Sequence, residues 1–154
     1  MSIPFRFIVT AGFSFGLLII AQHAAQAHFQ KMIPSTNVVT QETGRDIEVD
    51  LTFTHPMTNG PAMEMARPVR FGIQTDGNKT DLRDSLVAKT VDGKAAFDAT
   101  VRIDRPGGYA LYVEPLPYFE PSEGKYIVQY TKTIIDAFGA GEEWDQMVGF
   151  PVEI

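Results

Sequence analysis

Ile47-Glu48-Val49-Asp50-Leu51-Thr52-Phe53-Thr54 alternates apolar and polar residues without a break. A strand turns successive side chains to opposite faces, so this period of two marks a strand with one face in a core and the other in water. Outward from it the alternation recurs in Val69, Phe71 and Ile73, in Phe97, Ala99, Val101 and Ile103, and in Tyr109, Leu111 and Val113. Tyr126, Val128 and Tyr130 open a fifth run, and Val38-Val39 and Leu86-Val87 add short ones. Asp76-Gly77-Asn78, Asp92-Gly93 and Asp104-Arg105-Pro106-Gly107-Gly108 separate the runs with residues that accept positive φ or preset it near −65°. Asp92-Gly93 predicts a tight hairpin. Helical signal is confined to Glu142–Val148, where acidic residues lead a two-turn segment. The pattern predicts an all-β protein, an immunoglobulin-like antiparallel β-sandwich with one short C-terminal helix. Phe150-Pro151-Val152-Glu153-Ile154 reads as the start of a strand, closing a sheet edge or leading into further sequence.

The first 27 residues have a different character. Arg6 is their one charged side chain, an apolar run extends from Phe7 to Ile20, and the stretch ends Ala25-Gln26-Ala27. A positive start, an apolar middle and a small-x-small end predict a secretory signal peptide over 1–27. The run is short for a membrane span, and Thr10, Gly12, Ser14 and Gly16 interrupt it. Cleavage leaves one domain over 28–154 and places the protein outside the cytoplasm. The full chain of 154 residues has 13 Lys and Arg against 19 Asp and Glu, and removing Arg6 deepens the formal charge from −6 to −7. Such an acidic protein is a poor partner for nucleic acid. The absence of Cys excludes disulfides, thiolate metal sites and cysteine nucleophiles together.

Cleavage after Ala27 also frees the α-amine of His28. That amine and the imidazole of the same residue can hold one metal ion as a chelate, losing their protons to it near neutral pH. Nitrogen pairs of this kind suit nickel, cobalt, copper or zinc. The plain alternative is a chain terminus that binds nothing. His55 is the other histidine of 28–154; it ends the Ile47–Thr54 strand and precedes Pro56, which holds it extended. It is either a second imidazole for the same ion or a loop-end side chain in solvent. Met57, Met63 and Met65 are soft thioethers, but they fit better as flexible filler beneath a loop. Glu64 lies between two of them. Glu114-Pro115-Leu116-Pro117-Tyr118-Phe119-Glu120-Pro121 is stiffened by three prolines and carries two carboxylates. Glu64, Glu114 and Glu120 are candidate oxygen ligands, or simply solvated acids. The motifs of esterases, phosphate-binding loops and zinc proteases are missing. A Ser/His/Asp triad, dispersed in sequence, stays open, but nothing marks a nucleophile, so the expectation is binding and not an enzyme.

His28-Phe29-Gln30-Lys31-Met32-Ile33-Pro34-Ser35, Phe53-Thr54-His55-Pro56-Met57, Gly60-Pro61-Ala62-Met63-Glu64-Met65 and Tyr112-Val113-Glu114-Pro115 resemble a family of bacterial periplasmic proteins with an uncharacterised-domain label. Its members are described as periplasmic components of nickel and cobalt uptake systems. The resemblance covers nearly all of 28–154. It implies a β-rich fold, capture of Ni²⁺ or Co²⁺ beside an inner-membrane metal transporter, and His28 and His55 as ligand positions. It further implies that 28–154 corresponds to the first half of a longer protein, whether as a truncated copy, a split gene or a shorter branch. Two other readings stand beside it. An amine and two imidazoles also make the histidine brace of copper carriers and of copper monooxygenases that attack polysaccharides. A metal-free interaction module needs no site at all.

Overall fold

A computed structural model describes residues 29–55, 60–120, 123–139 and 145–153. The predicted signal peptide, His28, Met57 and Glu142-Glu143-Trp144 lie outside the described residues. Within them the chain is all-β, two sheets packed face to face. Sheet A is antiparallel, in the order β1 (Phe29–Pro34), β3 (Asp46–Thr54), β7 (Lys94–Arg102), β6 (Val87–Val91). Sheet B runs β2 (Val38–Val39), β11 (Thr131–Ala137), β8 (Gly107–Glu114), β4 (Arg70–Thr75), β5 (Asn78–Asp81). It is antiparallel except where β2 joins β11 in parallel. β9 (Tyr118–Glu120) and β10 (Lys125–Ile127) form a separate hairpin.

The predicted alternation builds the core. Ile47, Val49, Leu51 and Phe53 of β3, with Phe97, Ala99 and Val101 of β7, pack against Phe71, Ile73, Leu111, Val113 and Ile135 of sheet B. Two turns set the register of the hairpins. Asp76 (φ 47°) with Gly77 (φ 71°) joins β4 to β5, and Asp92 (φ 51°) with Gly93 (φ 76°) joins β6 to β7. Positive φ at both central positions twists the turn with its strands, and Asp-Gly supplies it at little cost.

Three expectations need correction. The fifth run does not start a long strand at Tyr126: Lys125–Ile127 pairs locally with β9, Val128–Tyr130 is irregular, and the sheet strand is Thr131–Ala137. The Phe29–Pro34 segment, to which the alternation assigned no strand, is an edge strand paired to β3. The described part of the predicted C-terminal helix, Asp145–Val148, is a turn followed by irregular chain. A competing set of partners holds it there. Gln74 Nε2 donates to the Met147 carbonyl at 3.1 Å, Gln146 Nε2 donates to the Gly108 carbonyl at 2.9 Å, and Lys132 Nζ donates to the Gln146 carbonyl at 2.9 Å. Residues 145–153 thus form a strap across the outer face of sheet B, where Val148 and Phe150 cover Ala110 and Tyr112. Glu153 locks the strap. Its carboxylate accepts from Val148, Gly149 and Phe150 N–H at 2.7, 2.9 and 3.1 Å and from Lys132 Nζ at 2.7 Å.

Candidate functional site

β3 delivers His55 to one end of the sandwich. Its backbone is fixed on both sides of the strand end. Thr54 Oγ1 donates to the Gly60 carbonyl at 2.9 Å, Gly60 N–H donates to the His55 carbonyl at 3.0 Å, and Met63 N–H donates to the Phe53 carbonyl at 2.7 Å. The half-buried His55 therefore stands at the end of β3, tied to Gly60.

β1 begins at the same end. Its first register pair is Phe29↔Thr54, one residue before His55 on β3. Gln30 anchors this start. Its N–H donates to Gln129 Oε1 and its carbonyl accepts from Thr131 Oγ1, both at 2.9 Å, so the outer edge of β1 is tied across to the start of β11. The Gln30 side chain is 5% exposed, and its Nε2 donates to the carbonyls of Thr52 and Lys31 at 3.3 and 3.2 Å and to Met65 Sδ at 3.7 Å. A buried amide with this many partners fixes the strand against fraying, which is the usual fate of a chain terminus. Nothing in the strand alternation pointed to Gln30; a polar residue on the core-facing parity of an apolar run (Gln30, Met32) was the available signal.

The three carboxylates singled out in the sequence go to different places. Glu64 lies exposed beside the loop and accepts from Ala95 N–H at 3.3 Å. Glu114 ends β8 on the outer face of sheet B and is the direct ion-pair partner of Arg70. Glu120 sits buried on β9, and its carbonyl closes the β9–β10 turn by accepting from Gly124 N–H at 2.9 Å. β9 packs back toward His55 through Tyr118, whose ring meets Phe53 edge-on at 4.7 Å. Gln30, Phe53, Glu64, Met65, Pro115 and Tyr118 line a hollow of about 80 Å³ at this end. All four segments quoted from the sequence thus contribute here, while Glu114 faces away. Among the described residues, no three of His, Cys, Asp and Glu come close enough to hold a metal ion. Met65 belongs to the core and Met63 packs against it, as filler does.

A family model described as Domain of unknown function (DUF4198) matches residues 25–154. No curated protein and no solved structure matches the chain.

Proposed function

We propose that this chain, which belongs to the DUF4198 family, is an exported, immunoglobulin-like β-sandwich that captures a transition metal, nickel or cobalt, in the periplasm and passes it to an inner-membrane transporter. The observation that carries the reading is the register of β1 on β3. It ends at Phe29↔Thr54. His55 follows that pair on β3 and His28 precedes it in the sequence, which favours a site shared by the two histidines. With the signal peptide removed after Ala27, the donors are the α-amine and imidazole of His28 and the imidazole of His55. The Gln30 anchor supports this arrangement, because it holds β1 in place two residues from the proposed chelate.

The described residues supply a single imidazole here and no carboxylate trio, so the fit to a metal rests on the His28 nitrogens joining His55. Binding displaces protons from these nitrogens and involves no bond-making on a substrate. Calorimetric titration of the protein beginning at His28 with Ni²⁺ tests the reading. A dissociation constant below about 100 μM is expected, equivalent to about 5.5 kcal/mol. The affinity falls on acidification, because protons compete with the metal for these nitrogens. No binding in that range, or affinity that stays flat from pH 8 to 5, contradicts it. A nitrogen-only donor set also suits Cu²⁺, which outcompetes Ni²⁺ at most nitrogen sites. Electron paramagnetic resonance of the Cu²⁺ form and a peroxide-driven oxidation assay separate a copper carrier or monooxygenase from a nickel and cobalt protein.

A further inference from the structure

Well away from His55, the outer face of sheet B holds a second hollow, of about 310 Å³, rimmed by Arg70, Lys79 and Arg83 and backed by Tyr112. We propose that it is a binding site for a small oxyanion, a carboxylate or phosphate group, held by Arg70, Lys79 and the Tyr112 hydroxyl.

The first argument is the placement of Tyr112. Its side chain is 6% exposed and lies across β4 at Gly72. A Cβ at residue 72 would stand 2.5 Å from Tyr112 Oη and 2.7 Å from the Thr80 carbonyl, so only glycine leaves room for the phenol. Phe150 of the strap holds the ring from the other side, edge-on at 5.9 Å. The hydroxyl is therefore fixed, and among the described residues it makes no hydrogen bond. Burial raises its pKa, with Asp81 adding to the effect and Arg70 opposing it, so the group stays protonated and available to donate.

The second argument is charge. The chain is acidic overall, yet this hollow gathers three cations. Arg83 is bound to Asp81, with Nη2 2.6 Å from Oδ2, and Arg70 reaches Glu114 through Nε. Lys79 has no carboxylate partner among the described residues, so three cations against two carboxylates leave one positive charge. Arg70 engages Glu114 through Nε alone, while its guanidinium lies 4.9 Å over the Phe150 ring, leaving its two NH₂ groups without a hydrogen-bond partner among the described residues. A guanidinium presents five N–H donors in a planar fork that matches an oxyanion. The unsatisfied groups at the hollow are donors: the Arg70 NH₂ groups, Lys79 Nζ and Tyr112 Oη. Its volume lies at the small end of ligand sites, enough for one phosphate or a short polycarboxylate.

Free anions and the headgroups of anionic lipids share this chemistry, and two arms distinguish them. In one, the protein is titrated with inorganic phosphate and with citrate at low salt, followed by chemical shifts of the β4 and β5 amides. In the other, it is co-sedimented with vesicles containing phosphatidylglycerol. Saturable binding in either arm is expected, with a dissociation constant below about 1 mM, or about 4.1 kcal/mol. It weakens about tenfold in Lys79→Gln and in Tyr112→Phe, and it leaves Ni²⁺ binding unchanged. Both substitutions spare the fold, because Lys79 is exposed and phenylalanine keeps the ring that packs on Phe150. Binding confined to the vesicles assigns the anion to a lipid headgroup. Absence of binding to both probes, or binding that neither substitution weakens, overturns the proposal.

Discussion

The two sheets finish their outer faces in opposite ways. Sheet A leaves its outer face to water and lines it with charge. Lys89 reaches Asp50 and Asp98, Lys31 lies 3.6 Å from Asp50, Thr100 donates to Glu48 at 3.0 Å, and Arg102 pairs with Asp46 and Asp104. Sheet B covers its outer face with the strap, so every residue from Gly108 to Val113 on β8 is buried, whichever way it faces. The comparison shows what alternation can and cannot report. Cross-strand charge pairs keep one face of β3 polar and leave the period of two visible. An apolar outer face erases that period and needs a covering segment from elsewhere in the chain, as buried sheets do.

If the strap is a true second layer, damage to it costs more than damage to the charged face. Phe150→Ala removes the ring that touches Tyr112, Tyr130 and Arg70. We expect it to lower unfolding free energy by about 3 kcal/mol, as for other large-to-small changes in packed sites, read as a fall in the urea midpoint.

Glu153→Gln comes next, at about 2 kcal/mol, because it weakens hydrogen bonds to a charged group that is 3% exposed at its side chain. This substitution also carries a pH signature. Burial alone would raise the Glu153 pKa, but Lys132 and the N–H groups of Val148, Phe150 and Gly149 hold it down to about 2, from an ordinary 4.5. A carboxyl depressed by folding stabilises the native state fully above its unfolded pKa and loses that contribution as pH falls through the folded one. Urea midpoints at pH 6 should therefore show the full gap between native protein and Glu153→Gln, and the gap should close between pH 4.5 and 2.

Lys89→Met on sheet A gives the smallest effect. Burial alone would lower the Lys89 pKa, but Asp50 and Asp98 hold it above its ordinary value. The groups are still partly solvated, and ion pairs of that kind are worth about 1 kcal/mol or less. A loss at Lys89 as large as that at Phe150 would erase the distinction between the two faces.

The sequence was legible where one periodicity governed one strand. The apolar positions of Ile47–Phe53 and Phe97–Ile103 serve the core, and Asp92-Gly93 makes its hairpin. On β8, Tyr109, Leu111 and Val113 were legible as core, but the burial of Ala110 and Tyr112 between them was not. It was misleading where tertiary partners decide. Asp145–Val148 has helical composition, but Gln74 and Lys132 hold its neighbourhood to the sheet. Lys125–Ile127 and Thr131–Ala137 read as one run beginning too early, because the irregular Val128–Tyr130 between them keeps strand-like residues. At the candidate site, His55 was legible as a strand end. Gln30 was not, since its role depends on Gln129, Thr131 and Met65, all remote in sequence. Glu114 carried the right chemistry but faces Arg70 on the far side of sheet B.

The metal reading turns on whether the α-amine of a chain that begins at His28 takes part. Calorimetry with Ni²⁺ on two proteins decides it: one beginning at His28, and one with a single alanine added ahead of it, which keeps both imidazoles and displaces the α-amine. The account predicts at least about tenfold weaker binding in the extended protein, a difference of about 1.4 kcal/mol. Equal affinity in the two would show that the amine is no ligand and contradict the chelate.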